Sequence, residues 1–299
     1  MCGIVRLYCT TPEMERKLGD YLSSMLIEMT DRGPDSAGVA FYREPAPAGH
    51  VKVTLFAGDS DYDWSRLAAD LGEALGGDVK VSRHGSHAVL LVPGAFEAAR
   101  AYLEEKHPAL RLVSAGDTIE IFKDTGLPEA VVEAFSLRQM TGTHALGHTR
   151  MATESAVTTA GSHPFSTGMD LCLVHNGSLS NHNRLRAFLR KRDIEIQTEN
   201  DTEVAAGYLT WRLREGDSLE EALTAGLKDL DGFYTFAVGT REGFAVLRDP
   251  IACKHAVMAE TDDWVAMATE YRAIANLPGS DQARIWEPAP SQIYSWSRS

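Results

Sequence analysis

No stretch of the 299-residue chain approaches the roughly 20 consecutive apolar residues that a bilayer-spanning helix requires. The N-terminus has no basic segment followed by an apolar one, which excludes a secretory signal. The expected location is the cytoplasm, with no membrane partner. Cysteine is scarce: the four residues Cys2, Cys9, Cys172 and Cys253 show no C-x-x-C spacing and no pattern shared with histidine. A disulfide scaffold, a bound metal and an iron–sulfur cluster are thereby excluded as expectations, and the cysteines read as reduced thiols. Basic residues are few against acidic ones, 29 to 42, for a net charge of -13. That balance argues against nucleic acid as a partner. There is no glycine-rich phosphate loop, no internal repeat and, apart from Pro45-Ala46-Pro47-Ala48-Gly49, no low-complexity linker.

What remains is an ordinary globular composition, 44% hydrophobic and 24% charged, enough for one large core or two domains. Gly3 to Tyr8 reads as a buried strand. Met14, Leu18, Leu22, Met25, Leu26 and Met29 recur at helical spacing and predict one amphipathic helix over 12–30. The polar run Asp31-Arg32-Gly33-Pro34-Asp35-Ser36-Ala37-Gly38 predicts a turn leading to a strand at Val39–Tyr42. Residues 44–140 carry an alternating strand and helix pattern and read as a small αβ unit inserted into the surrounding domain. Beyond Thr143 the expected elements are a strand at 144–151, a strand at 170–174 broken by His175-Asn176-Gly177, helices at 181–192, from 200 and at 219–230, and strands at 233–238, 243–247 and 264–268.

The chemistry is concentrated at the start. If the initiator methionine is removed, Cys2 carries both a thiol and a free α-amine. An α-amine titrates at about 7.7–8.0, so one residue holds a nucleophile and a base for its proton. The plainer alternative is an inert cysteine ahead of a buried strand. Four further features each admit two readings. Arg150, at a predicted strand end, suits a bidentate carboxylate contact or a structural ion pair. Asn176-Gly177 offers a side-chain amide and a backbone N–H for an oxyanion, or a hairpin turn. Asp201 is a helix N-cap or the partner of an ammonium group. Arg32, Gly33, Asp35 and Ser36 form a loop over a ligand or merely a turn. Taken together, a thiol nucleophile, an oxyanion site, a carboxylate seat and an ammonium seat describe glutamine attacked at its side-chain amide.

The motifs Met1-Cys2-Gly3-Ile4, Arg32-Gly33-Pro34-Asp35-Ser36, Gly147-His148-Thr149-Arg150, His163-Pro164-Phe165, His175-Asn176-Gly177 and Asn200-Asp201-Thr202 resemble those of the class II glutamine amidotransferases, a family of N-terminal-nucleophile hydrolases. Arg248-Asp249-Pro250 and Ala268-Thr269-Glu270 are similar to the family's C-terminal strands. Glu154-Ser155 stands where many members have His-Gly, and Ile251-Ala252-Cys253-Lys254 where a Gly-x-Arg/Lys-Pro-Leu pattern is common.

The resemblance implies an α+β fold, a four-layer αββα sandwich in which residues 1–299 form one amidotransferase domain. It implies Cys2 as nucleophile, Asn176 and Gly177 as oxyanion hole, and Arg150 and Asp201 as glutamine anchors. Arg32, Gly33, Asp35 and Ser36 would lie in the loop that closes over glutamine, with Thr153, His163 and His175 in support. The overall size and the insertion look most like the separate amidotransferase subunit of split glutamate synthase-type enzymes, N-methylglutamate synthase above all. That likeness implies separate flavoprotein synthase subunits as partners in a hetero-oligomer, with FMN and iron–sulfur on those partners and no cofactor in this chain. The acceptor would be ammonia or methylamine. Two other readings are a stand-alone amidohydrolase of the same fold and a non-catalytic regulatory subunit.

Overall fold

The computed structural model describes residues 2–59, 61–152 and 156–298. Among them, two antiparallel sheets stack face to face. The first has seven strands in the order Arg284–Trp286, Val257–Glu260, Trp264–Ala268, Gly3–Cys9, His144–Arg150, Ser36–Tyr42 and Ile119–Thr125. The second has five, in the order Ile293–Ser297, Gly243–Arg248, Gly232–Gly239, Leu171–Leu179 and Phe165–Gly168. Because the strand Gly3–Cys9 lies in the middle of the first sheet, every one of its residues is buried, and its alternate side chains feed two different cores. Ile4 and Tyr8 point to the layer between the sheets, with Tyr42, Leu146 and Met267 from the first and Val174, Ala237 and Val246 from the second. Val5, Leu7 and Cys9 point outward, against Leu18, Leu22, Met25 and Leu26. On the far side, the helices His182–Arg190, Asp201–Arg214 and Leu219–Asp229 cover the second sheet through Leu189, Val204, Leu209 and Leu223. Helices outside and sheets inside make the αββα sandwich. Each fully buried Val, Leu or Phe in these layers contributes about 1.5–3 kcal/mol.

The predicted helix over 12–30 is interrupted. Two helices, Pro12–Arg16 and Leu18–Ile27, meet at Lys17, which leaves helical geometry with φ -109° and ψ 8°. The cause lies at Gly19. Its amide donates outside the helix to the Met140 carbonyl at 2.9 Å, and a Cβ there would stand 2.1 Å from the Leu137 carbonyl oxygen. A close approach to the Leu137–Met140 backbone takes precedence over helical continuity, which hydrophobic spacing alone does not reveal.

The inserted unit is shorter than 44–140. A separate four-stranded sheet, in the order Lys80–His84, His87–Pro93, His50–Phe56 and Arg111–Gly116, carries the helices Trp64–Leu75 and Phe96–Lys106 on a core of its own that includes Val53, Trp64, Leu71, Leu90 and Leu103. The chain then returns to the body. Ile119–Thr125 pairs with Ser36–Tyr42 in the first sheet, and the helix Pro128–Ala134 packs Val131 and Val132 into its outer core. Both elements are built of the same residue types as the insertion, so composition marks no boundary. The junction is polar and well satisfied. Asp170 accepts the amides of Asp117, Thr118 and Ile119 at 2.7–3.0 Å, and Glu120 holds Lys52 and Arg43 at 2.7 Å each. No helix among the described residues is long and apolar enough to cross a membrane.

Candidate active site

Four strand ends converge on Cys2. Gly3 pairs with Thr149, Ser36 pairs with Arg150, and Val5 pairs with Ala268, so the start of one strand faces the ends of two neighbours and the start of a third. The approach is tight: a Cβ on Gly3 would sit 2.8 Å from Thr149 Oγ1, and one on Gly33 would sit 2.4 Å from the Thr149 carbonyl carbon. Glycine at both positions lets these segments close up behind Cys2.

The backbone at Cys2 and Ile4 is held by three residues, Arg32, Asn176 and Thr269. The Cys2 carbonyl accepts Arg32 Nε at 3.1 Å and Asn176 Nδ2 at 3.1 Å. Thr269, just past the strand Trp264–Ala268, takes the Ile4 amide on Oγ1 at 2.8 Å and returns its own amide to the Ile4 carbonyl at 2.9 Å. Asn176 Nδ2 also lies 3.1 Å from Thr269 Oγ1. Cys2 itself is partly exposed, and its Sγ lies 3.9 Å from the Met151 carbonyl. The thiol is thus accessible on a fixed backbone.

The strand expected to break at His175 does not. Leu171–Leu179 runs through His175-Asn176-Gly177, which pair with Phe236, Thr235 and Tyr234. The hairpin reading of Asn-Gly is therefore wrong. Glycine is needed for another reason: residue 177 has φ +147°, and a Cβ there would fall 1.9 Å from the Phe233 carbonyl oxygen. Asn176 is buried, and its Oδ1 has no hydrogen-bond partner among the described residues.

Arg32 lies in the 3₁₀ turn Thr30–Arg32, and its Nη1 meets Glu270 Oε1 at 2.6 Å. That hydrogen bond is the main reason the Glu270 carboxyl is held below its ordinary range; Arg272 Nε, at 2.9 Å from Oε2, adds to it. Asp35 Oδ2 accepts the Ala152 amide at 2.8 Å, and its own amide donates to the Arg150 carbonyl at 3.1 Å. Ser36, predicted within the turn, is instead the first residue of a buried strand. Its hydroxyl has no partner among the described residues. Arg150 is buried, with Nη1 3.3 Å from the Ala156 carbonyl. Thr153 lies outside the described residues.

Asp201 is not the helix N-cap. Asn200 is, with its side chain accepting the Thr202 amide at 2.9 Å. Asp201 uses Oδ2 to accept the Leu179 amide at 2.8 Å, and its Oδ1 stands 3.8 Å from His175 Nδ1. Burial nonetheless holds His175 below the ordinary histidine range, so this is a neutral imidazole beside a carboxylate. The Thr202 hydroxyl joins His175 Nδ1 at 3.1 Å to His163 Nε2 at 3.3 Å, and His163 stacks on His148 with centroids 3.9 Å apart. Burial pushes His148 down to about 3 and His163 well below its usual value. A single O–H between two neutral rings can donate to only one of them, so at least one ring donates to it, which restricts the tautomers along the path to Asp201.

Cys2, Arg32, Asn176, Arg150, Asp35 and Asp201, all singled out in the sequence, thus lie on converging elements. No role is assigned from the sequence to Thr269, Glu270 or Thr202, which make contacts of comparable directness. Their signal is weak: a polar pair at the end of an apolar strand, and a threonine in the first turn of a helix.

Residues 148–276 match a glutamine amidotransferase domain family. The glutamine amidotransferase-like protein GlxB of Rhizobium meliloti is 55% identical over 99% of this chain and 98% of its own. A relative from Methanothermobacter thermautotrophicus, also bearing a glutamine amidotransferase name, is 29% identical over 98% of this chain and 99% of its own. Among solved structures, the glutamine phosphoribosylpyrophosphate amidotransferase of B. subtilis superposes with a TM-score of 0.63 at 18% identity, covering 99% of this chain, which spans 47% of that larger one. The chain belongs to the class II glutamine amidotransferase family and has its N-terminal-nucleophile hydrolase fold.

Proposed function

We propose that Cys2, as the mature N-terminus, attacks the side-chain amide carbon of glutamine. The α-amine takes the thiol proton and passes it to the leaving nitrogen. The C–N bond breaks, ammonia departs, and a γ-glutamyl thioester on Cys2 remains; water or an amine then cleaves the thioester. Asn176 Nδ2 and the Gly177 N–H serve the oxyanion. Arg150 and Asp201 bind the α-carboxylate and α-ammonium of glutamine, and Arg32, Gly33, Asp35 and Ser36 frame its entry. His163 and His175 act through Thr202 to position Asp201. The observation that carries this reading is the shared grip of Arg32 and Asn176 on the Cys2 carbonyl, which fixes the thiol at a convergence of strand ends.

The acceptor, in this reading, belongs to a hetero-oligomeric complex of the glutamate synthase or N-methylglutamate synthase type, in the cytoplasm. FMN and iron–sulfur centres would reside on its flavoprotein subunits, and the amine would be ammonia or methylamine. The motif set and the inserted unit support this assignment through their likeness to such subunits, and the exposed faces of the insertion are the proposed docking surface. The test is a pull-down and glutaminase assay with and without co-expressed flavoprotein subunits. Association, together with stimulation of glutamate formation, is expected. A chain that releases ammonia at full rate alone and retains no flavoprotein would contradict the complex.

A further inference from the structure

A cavity of about 430 Å³ lies where the strand Arg111–Gly116 of the inserted unit meets the second sheet and the helix Asp201–Arg214. That volume falls in the usual range of small-molecule sites, roughly 300–1,000 Å³. Cys2, Arg150, Asn176 and Asp201 do not line it. Its walls are largely apolar, with Phe56, Val113, Phe165 and Leu171 among them.

Two polar side chains on those walls lack hydrogen-bond partners among the described residues at the atoms that matter. Ser114, 2% exposed, has an unpaired Oγ, and His87, 0% exposed, has an unpaired Nε2. Buried polar atoms left unpaired carry the cost of their lost hydration, so each is available to a ligand atom that enters the cavity. The charged groups are unequally committed. Glu203 is saturated by the Gln197 and Thr198 amides and the Thr198 hydroxyl at 2.6–2.8 Å, and Glu195 is paired with Arg100 at 2.7 Å. Lys123, in contrast, is 6% exposed and has only neutral acceptors: the carbonyls of Ser162 at 2.7 Å, Pro164 at 3.0 Å and Ala160 at 3.4 Å. Arg111, at the rim, has neither an ion pair nor a side-chain hydrogen bond among the described residues. Glu97 and Asp193 are exposed on the rim.

We propose that this cavity is a regulatory binding site for a small organic carboxylate with an apolar body. Its carboxylate would face Ser114, His87 and the charges of Lys123 and Arg111, neither of which is held in an ion pair among the described residues. The Lys123 contacts connect it to the glutamine site. The carbonyls they hold belong to the segment 156–164, which also presents the Ala156 carbonyl to Arg150 at 3.3 Å and the Gly161 carbonyl to Asn200 at 3.2 Å, and which carries His163. Three donors on Lys123 require the ammonium form. Burial depresses that form, and a nearby carboxylate restores it, so occupancy tightens the segment. By linkage, glutamine and the carboxylate alter one another's affinity equally.

The link to glutamine rests on the function proposed above; occupancy of the cavity does not. Titration calorimetry on the full chain with hexanoate, hexanamide and hexylamine separates the two. Hexanoate is expected to bind once per chain, about tenfold or more tighter than the neutral amide, as loss of a charge-assisted contact implies. Ser114→Ala and Arg111→Gln should each weaken it severalfold, and Lys123→Met should abolish it. If Lys123→Met fails to fold, the other two variants decide. Equal binding of hexanamide, preferential binding of hexylamine, or no hexanoate binding at millimolar concentration would overturn the site. A change in the KM for glutamine with hexanoate in the unaltered protein, lost in Ser114→Ala, is expected; an unchanged KM with binding intact would overturn the regulatory role alone.

Discussion

The side-chain amide of Asn176, on the second sheet, donates to the backbone carbonyl of Cys2, the residue just ahead of the first sheet's strand Gly3–Cys9, at 3.1 Å. One hydrogen bond thus spans the sandwich and sets the nucleophile against its proposed oxyanion donor. Since that donor acts on charge that develops only in the transition state, Asn176→Ala should lower kcat by roughly 10²–10³ with a smaller change in KM. Steady-state glutaminase kinetics check this. A rise in KM at unchanged kcat would remove Asn176 from that role.

Arg150 should behave in the opposite way. An α-carboxylate keeps its charge from ground state to transition state, so its anchor contributes uniform binding. Arg150→Ala is expected to raise KM strongly with less effect on kcat. Asp201→Asn should do likewise, since an amide oxygen can still accept the Leu179 amide while the charge for the ammonium is gone. Loss of kcat at constant KM in both variants would reverse the assignment.

How much of this was legible beforehand depends on what each residue answers to. The strand Gly3–Cys9, the helix start after Asn200 and the helix Leu219–Asp229 follow from local periodicity and capping, and each lies within a residue of its expected place. The break at Lys17, the unbroken strand through Asn176-Gly177, and the return of residues 119–140 to the body are tertiary. Each is decided by a partner more than 50 residues away: Met140 for Gly19, Tyr234 for Gly177, and Ser36–Tyr42 for Ile119–Thr125. The strands Val257–Glu260 and Arg284–Trp286, the second of them at the sheet edge, are not legible in the sequence, because strands of four and three residues carry little alternation. Candidate site residues showed themselves through unusual chemistry, as with a cysteine at position two. Thr269 and Glu270 did not, because the contacts that give them meaning are to backbone and to Arg32.

Glu270 offers a pH test. Its carboxyl is held below the ordinary range chiefly by Arg32, so the contact is in place above that range and is lost as pH falls through the lowered value. The KM for glutamine should worsen on that acid limb. Glu270→Gln should show a raised KM at neutral pH and no acid limb from this group. The carboxylate is about one third exposed, so the effect is modest. A variant indistinguishable from the unaltered protein at all pH values would detach Arg32 positioning from glutamine binding.

Lys123 offers another, on stability. Burial brings it down to about 7, with Glu203 opposing and Arg111 assisting. Between pH 7 and the unfolded value near 10.4, the unfolded chain binds a proton that the folded chain does not, so stability rises with pH across that window. The slope from this group approaches about 1.4 kcal/mol per pH unit at most. Lys123→Met should remove it, as read by denaturant unfolding at a series of pH values. An identical slope in both proteins would place the lysine's titration elsewhere.

The central claim is that Cys2, freed of Met1, is the nucleophile. Intact-protein mass spectrometry tests it most directly, on protein incubated with a glutamine analogue bearing an electrophilic ketone in its side chain. The expected result is a chain lacking Met1 that gains one adduct, located by peptide mapping at Cys2 and absent from Cys2→Ala. An active protein that retains Met1, or an adduct at Cys9, Cys172 or Cys253 with Cys2 unmodified, would contradict it.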